Sequence, residues 1–410
     1  MRPSDYGGRE AVREGAGPCH PVADNRDAAG RPITLSQPRQ ILFGAGSARQ
    51  LAAQFGERGL RHVFLVTSPS VLSHCGEWVD SIHEAVPKVT ICSAIRPEPT
   101  VMAFEDCLAR ARQAEVDGIV GLGGGSVLDV AKLVAALLRG PQTVHDVFGI
   151  NLLRARSVFL ACVPTTAGTG SEVSPNAILL DEAAGLKKAA ISPHLVPDIA
   201  CVDPLLARSL PPDVTAATGL DALAHCVEAY SNCFAHPAVD LYALEGVRRI
   251  SRSLLAAVND GRNEAARTDL ALGSLYGGLC LGPVNTAAVH ALAYPLGGEF
   301  HVGHGVSIAV LLPHVLRFNL AAAPERYAEI AKAMGIAPLG SAQATAERFL
   351  EQLGKLIARC PIPQRLGELG VPRDALPRLA KSAMTVTRLL KNNPRPVTEA
   401  DALEIYSAAY

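Results

Sequence analysis

Short apolar runs alternate with helical periodicity through the first half of the chain. Residues 62–67 (HVFLVT), 89–95, 118–122 and 158–163 are apolar and rich in β-branched side chains, as buried strands are. Residues 100–114 and 126–138 carry apolar positions at helical spacing. Strands that are apolar on both faces and alternate with helices predict a parallel sheet covered on both sides, a Rossmann-like α/β unit. Residues 199–203 read as a further strand near its end. After Pro204 strand-like runs thin out, and Ala/Leu-rich helical periodicity, punctuated by Pro211, Pro212, Pro283, Pro295 and Pro313, continues to Tyr410. The boundary falls near residues 205–212, giving an α/β unit at 31–207 and an all-α unit at 208–410. Residues 1–30 mix acids and bases without an apolar run. They fit neither a secretory signal nor a transit peptide, and a disordered extension is expected there.

Composition narrows the class. The 410 residues exceed one ordinary core, and 49% of them are hydrophobic. A net charge of −1 argues against a nucleic-acid surface or an electrostatic membrane partner. Ten cysteines without a CxxC pair read as reduced, buried thiols of a cytoplasmic protein. The uncharged stretch 270–298 contains prolines, glycines and His290, which suits a buried helical core better than a membrane span.

Two loops in the α/β half are suited to an anion. Gly123-Gly124-Gly125-Ser126 follows a strand and opens a helix, so backbone N–H groups and the helix N-terminus face whatever lies there. Such a turn alone serves a tight reversal as well as a phosphate. Pro164-Thr165-Thr166-Ala167-Gly168-Thr169-Gly170-Ser171-Glu172 ends another strand, and alone it reads equally as a loop capping its own helix. Two such loops at the carboxyl ends of parallel strands favour a dinucleotide. The strand 62–67 ends at Thr67-Ser68 without the carboxylate that usually bonds the adenosine ribose of NAD. Ser68 would not repel a 2′-phosphate, so NADP stays open beside NAD.

The helical half carries a metal pattern. Asp221 and His225, four apart, share one helix face, although such a pair is more often an ordinary polar pair. Glu228 continues that face. His290 lies in an apolar helical stretch, and His304 lies beyond a Pro/Gly break, before a helix at 306–318. Any one buried histidine is more often a core residue than a ligand. Three with an aspartate suit Fe²⁺, Zn²⁺, Ni²⁺ or Co²⁺ better than Mg²⁺ or Ca²⁺.

With these segments in view, the chain resembles the iron-containing (group III) alcohol dehydrogenases. The resemblance rests on Gly123–Ser126 with Asp129 and Lys132, on PTTAGTGSE (164–172), GLDALAH (219–225), the 290–304 segment, LLPHVLRFN (311–319) and NNPRP (392–396). It implies a dehydroquinate synthase-like fold with the active site between the two domains, and hydride transfer between a primary alcohol and a nicotinamide at Fe²⁺ or Zn²⁺. It implies Asp221, His225, His290 and His304 as metal ligands. It implies cofactor contacts from Gly124, Gly125, Ser126, Asp129, Thr165 and Thr166, with Thr169 in the same loop and Lys188, beside Lys187, as the ribose lysine. Such enzymes are commonly homodimers or larger assemblies.

Two positions depart from the family pattern. Tyr294 stands where many members have a histidine that assists proton relay, and with an unperturbed pKa of about 10 it is a poor base at neutral pH. His301 is the nearby substitute. Members acting on hydroxy acids and semialdehydes also tend to carry tyrosine here. Glu98 stands where the family has an asparagine. The alternatives are a metal-free maleylacetate reductase, against which four retained ligands argue, a dehydroquinate synthase-like lyase, and a non-catalytic binding protein.

Overall fold

The computed structural model describes residues 29–410. The extension expected at 1–30 therefore lies, but for its last two residues, outside the described residues. Six strands form a parallel sheet in the order β1 (Gln40–Phe43), β9 (Ile199–Val202), β6 (Phe159–Pro164), β4 (Gly118–Gly123), β2 (His62–Val66), β3 (Lys88–Cys92). The five strands anticipated from sequence are β2, β3, β4, β6 and β9. The strands are apolar on both faces because both faces are covered. Phe64 and Val66 pack with Phe104, Leu108 and Val130 from the helices Val101–Ala114 and Gly125–Leu137. The alternate residues Val63 and Leu65 pack on the other face with Leu51, Phe55, Trp78 and Val79.

β3 lies on one side of β2 and β4 on the other, so the chain reverses its winding between β2 and β4. In open α/β sheets a ligand crevice forms at the carboxyl ends of such strands. Beside it lies a small sheet in which β8 (Leu186–Ile191) pairs antiparallel with β7 (Asn176–Asp181) and parallel with β5 (Gly149–Ile150).

Every regular element described after Val202 is a helix. Pro212–Ser231 is buried along most of its length and packs against Pro237–Asn259, Glu264–Leu281 and His304–Asn319. By length and composition His304–Ala322 is apolar enough to cross a membrane. Here it lies against Pro212–Ser231 and Ala288–Phe300, with Ile308, Leu311, Leu312 and Val315 fully buried in the helical core. Among the described residues no disulfide forms, and eight cysteines are buried.

Candidate metal centre

A buried helix places the first two candidate ligands. One turn apart on Pro212–Ser231, Asp221 and His225 present Oδ1 and Nε2 to each other at 3.7 Å. His290 sits in the first turn of Ala288–Phe300, which continues through Pro295. The break comes later, at residues 301–303, and reverses the chain so that His304 opens the next helix rather than preceding it. His290 Nε2 and His304 Nε2 then lie 3.4 and 3.6 Å from Asp221 Oδ1. Donor atoms about 2.1 Å from a tetrahedral ion stand about 3.4 Å from one another. The donors of Asp221, His290 and His304 all lie within 4.8 Å of one another, while His225 approaches this group through Asp221. Asp221 Oδ1 and His290 Nε2 are buried and in no hydrogen bond, as donors awaiting an ion would be.

The electrostatics suit a cation. Burial pushes His225 down to about 4 and His304 down to about 3, overcoming the pull of Asp221, so both imidazoles keep a free lone pair at neutral pH. Burial alone would raise Asp221, yet the facing histidines hold it well below the usual carboxylate range. Burial also opposes the charged form of His290, but Glu228 and Asp221 outweigh it and raise it to about 9.

Glu228, on the same helix face, is buried and bonds to His290. Its Oε1 accepts from Val289 N at 2.7 Å and its Oε2 from His290 Nδ1 at 2.5 Å. A proton held on Nδ1 leaves Nε2 as the metal-facing nitrogen.

The opposite wall is the glycine loop. Gly125 opens its helix against Thr169: a Cβ there would stand 2.6 Å from Thr169 Cγ2. The two anion-ready loops are thus packed on each other. Thr165 N donates to Gly123 O (3.0 Å), and Thr166 borders Gly124. Asp129 accepts from Ser171 Oγ and Ile178 N at 2.5 and 3.0 Å; burial raises its pKa against the pull of Lys132. Lys132, fully buried, donates to Ser171 O, Ser171 Oγ and Asn176 O, locking the threonine loop to β7. Gly170 adopts φ +60° and touches Gly278, so this loop also meets the helical domain.

The four candidate ligands share one cleft with Gly125, Ser126, Asp129, Thr169 and Tyr294. Six anticipated residues fall outside that lining: Gly124, Thr165 and Thr166 sit in the two loops without lining it, and Lys188, His301 and Ser68 are engaged elsewhere. Lys188 is half exposed and pairs with Asp181 at 2.8 Å, while its neighbour Lys187, on the other face of β8, lines the cleft and pairs with Glu98. His301 is the exposed left-handed residue that closes its helix, outside the cleft lining. Ser68 caps the short helix after β2, accepting from Val71 N at 3.4 Å. Arg388, Asn285 and Thr286 line the cleft without a sequence signal, because only the fold brings them there.

Known proteins share this sequence pattern and this fold. The profile for "Iron-containing alcohol dehydrogenase" matches residues 38–204, and that for "Fe-containing alcohol dehydrogenase family, C-terminal" matches residues 215–410. The chain belongs to the iron-containing alcohol dehydrogenases. Within this family it is 39% identical to long-chain-alcohol dehydrogenase 1 of Geobacillus thermodenitrificans, over 90% of this chain and 94% of that one. Its fold matches a 1,3-propanediol oxidoreductase structure with a TM-score of 0.90 at 34% identity, over 93% of this chain and all of the other. The sulfoacetaldehyde reductase of Bifidobacterium kashiwanohense, solved in complex with NAD⁺, superposes with a TM-score of 0.81 at 26% identity, over 93% and 99% of the two chains.

Proposed function

We propose that this alcohol dehydrogenase interconverts a primary alcohol and its aldehyde by hydride exchange with NAD or NADP, with one divalent ion, Fe²⁺ or Zn²⁺, held by Asp221, His225, His290 and His304. The observation that carries this reading is the convergence of the Asp221, His290 and His304 donors, with His225 beside Asp221, in one cleft with the glycine loop. A divalent ion there would polarise the substrate oxygen and lower the pKa of an alcohol.

The chain's own groups do the rest. Residues 31–207 act as the cofactor domain and 208–410 as the metal domain. Backbone N–H groups at Gly124 and Gly125, with the Ser126 hydroxyl, receive the pyrophosphate at the helix N-terminus. Thr165, Thr166 and Thr169 line the nicotinamide side, with Asp129 beside them. Lys187 takes the ribose role first assigned to Lys188, since it faces the cleft. Ser68 meets the adenosine ribose, and the lack of a carboxylate there accommodates a 2′-phosphate. Burial raises the Tyr294 hydroxyl above its ordinary pKa despite nearby Arg388, so Tyr294 donates a hydrogen bond rather than accepting a proton. The NAD⁺ complex of the similar sulfoacetaldehyde reductase supports a nicotinamide cofactor. A metal-free reductase would have no use for the Glu228–His290 clamp. A cytoplasmic homodimer or larger homo-oligomer completes the reading. Alcohols and aldehydes assayed with each cofactor, on protein reconstituted with defined metals, test it; absence of any nicotinamide turnover across the panel defeats it.

A further inference from the structure

The cleft holds one cation that the proposed chemistry does not use. Arg388 lies on the short helix Thr387–Leu390, packed beside Tyr294 and its helix Ala288–Phe300. Its Nη1 is buried in the cleft lining and has no hydrogen-bond partner, although the guanidinium as a whole lies beside the Tyr294 hydroxyl and interacts with it. Among the described residues it forms no ion pair, whereas the other charged groups of the cleft are engaged. Lys187 pairs with Glu98, Asp129 accepts from Ser171 and Ile178, and Asp221 faces the three histidines.

The segment is held in place. Leu389 is fully buried, Asn392 Nδ2 donates to Thr286 O at 2.7 Å, and Asn393 and Asn319 exchange amide hydrogen bonds at 2.7 and 2.8 Å. A guanidinium N–H kept dry and unpartnered is costly, and its fork geometry matches a carboxylate. Tyr294 neighbours both Arg388 and a candidate metal ligand, its ring centroid lying 6.2 Å from that of His304. The candidate ligands and Arg388 line the same cleft, so a short chain lying in it can meet the metal site at one end and Arg388 at the other. The pyrophosphate of a dinucleotide is already provided for on the opposite wall, by the glycine loop.

We propose that Arg388 selects a substrate bearing an anion: a short aldehyde, or its primary alcohol, whose far end carries a carboxylate. This rests on the dehydrogenase reading above and names its substrate class. Hydride reaches the carbonyl carbon from the reduced nicotinamide and a proton reaches the oxygen from solvent, so the carboxylate is held and unchanged.

The test compares kcat/KM of the metal-loaded enzyme for 4-oxobutanoate against butanal, and for 5-oxopentanoate against pentanal, in wild type, Arg388→Met and Arg388→Lys. Wild type should prefer the charged member of each pair. Arg388→Met should lose about 30-fold on the charged aldehydes with little change on the neutral ones, as expected for one charge-assisted bidentate contact. Arg388→Lys should fall between, keeping the charge without the fork. If wild type turns over the neutral aldehydes as well as the charged ones, or prefers longer apolar alkanals, the role of Arg388 is overturned while the dehydrogenase reading stands. That wild-type comparison decides even if a variant fails to fold. A rise in the cofactor's KM that is equal for both aldehyde classes assigns the guanidinium to the dinucleotide and also overturns the proposal. No turnover of any aldehyde defeats both readings.

Discussion

Glu228 clamps His290 by two bonds, accepting from the imidazole Nδ1 with one oxygen and from the backbone of Val289 with the other. This fixes both the tautomer and the position of a candidate ligand. Glu228→Gln would force an amide N–H against one of those two donors. Affinity for Fe²⁺ or Zn²⁺ should fall about 10- to 100-fold, as for other partners of metal-bound histidines. Competition with a chromogenic chelator measures it; unchanged affinity would mean that the clamp serves packing alone.

Lys187 and Lys188 separate two readings of one strand. Lys187→Met should raise the KM for NAD(P)H about tenfold or more, the scale of one charge-assisted contact. Lys188→Met should leave it nearly unchanged, since its ammonium pairs with Asp181 away from the cleft. Steady-state kinetics with varied cofactor decide, and the reverse ranking would restore Lys188.

That pair also marks where the sequence stopped being legible. The sheet strands were readable because burial on both faces makes them apolar throughout, as in β2. In the hairpin β7–β8, β7 is buried only at alternate positions, and the apolar runs are short and broken by Asn176, Asp181, Lys187 and Lys188. Neighbouring side chains on a strand point to opposite faces, so a one-residue register decides which lysine meets the cofactor, and spacing alone does not set it. Asp221 and His225 were legible because one helix holds both. The Glu228 contact spans 62 residues and depends on how two helices pack. Arg388 depends on a terminal segment folding back onto the cleft.

Gly170 joins the threonine loop to the helical domain. It has φ +60°, and a Cβ there would stand 2.2 Å from Gly278 Cα, which is backbone and cannot turn aside. Gly170→Ala should cost about 3 kcal/mol through overpacking and left-handed strain. Denaturant unfolding measures it, and a loss under about 1 kcal/mol would show that the loop and helix part easily.

Glu172 gives stability a pH dependence. Burial pushes its carboxyl up to about 7, against its own backbone N–H and Lys132. The unfolded chain releases this proton near 4.5 and the folded chain near 7. Folding is therefore favoured by about 3 kcal/mol more below the lower value than above the upper one, and the difference is lost as pH rises between them. Glu172→Gln removes that slope. Its melting temperature relative to wild type should rise between about pH 5 and about pH 8 and then level off. A difference that shrinks with rising pH contradicts the assignment.

The metal site is tested most directly by stripping the protein with a chelator and titrating Fe²⁺ or Zn²⁺ back while following heat, melting temperature and NAD(P)H turnover together. The account predicts uptake of one ion per chain, with turnover restored in parallel. It predicts stabilisation of about 2.7 kcal/mol at a hundredfold excess over Kd, and loss of all three signals in Asp221→Asn. Full turnover by the stripped protein, or uptake unaffected by Asp221→Asn, would contradict it.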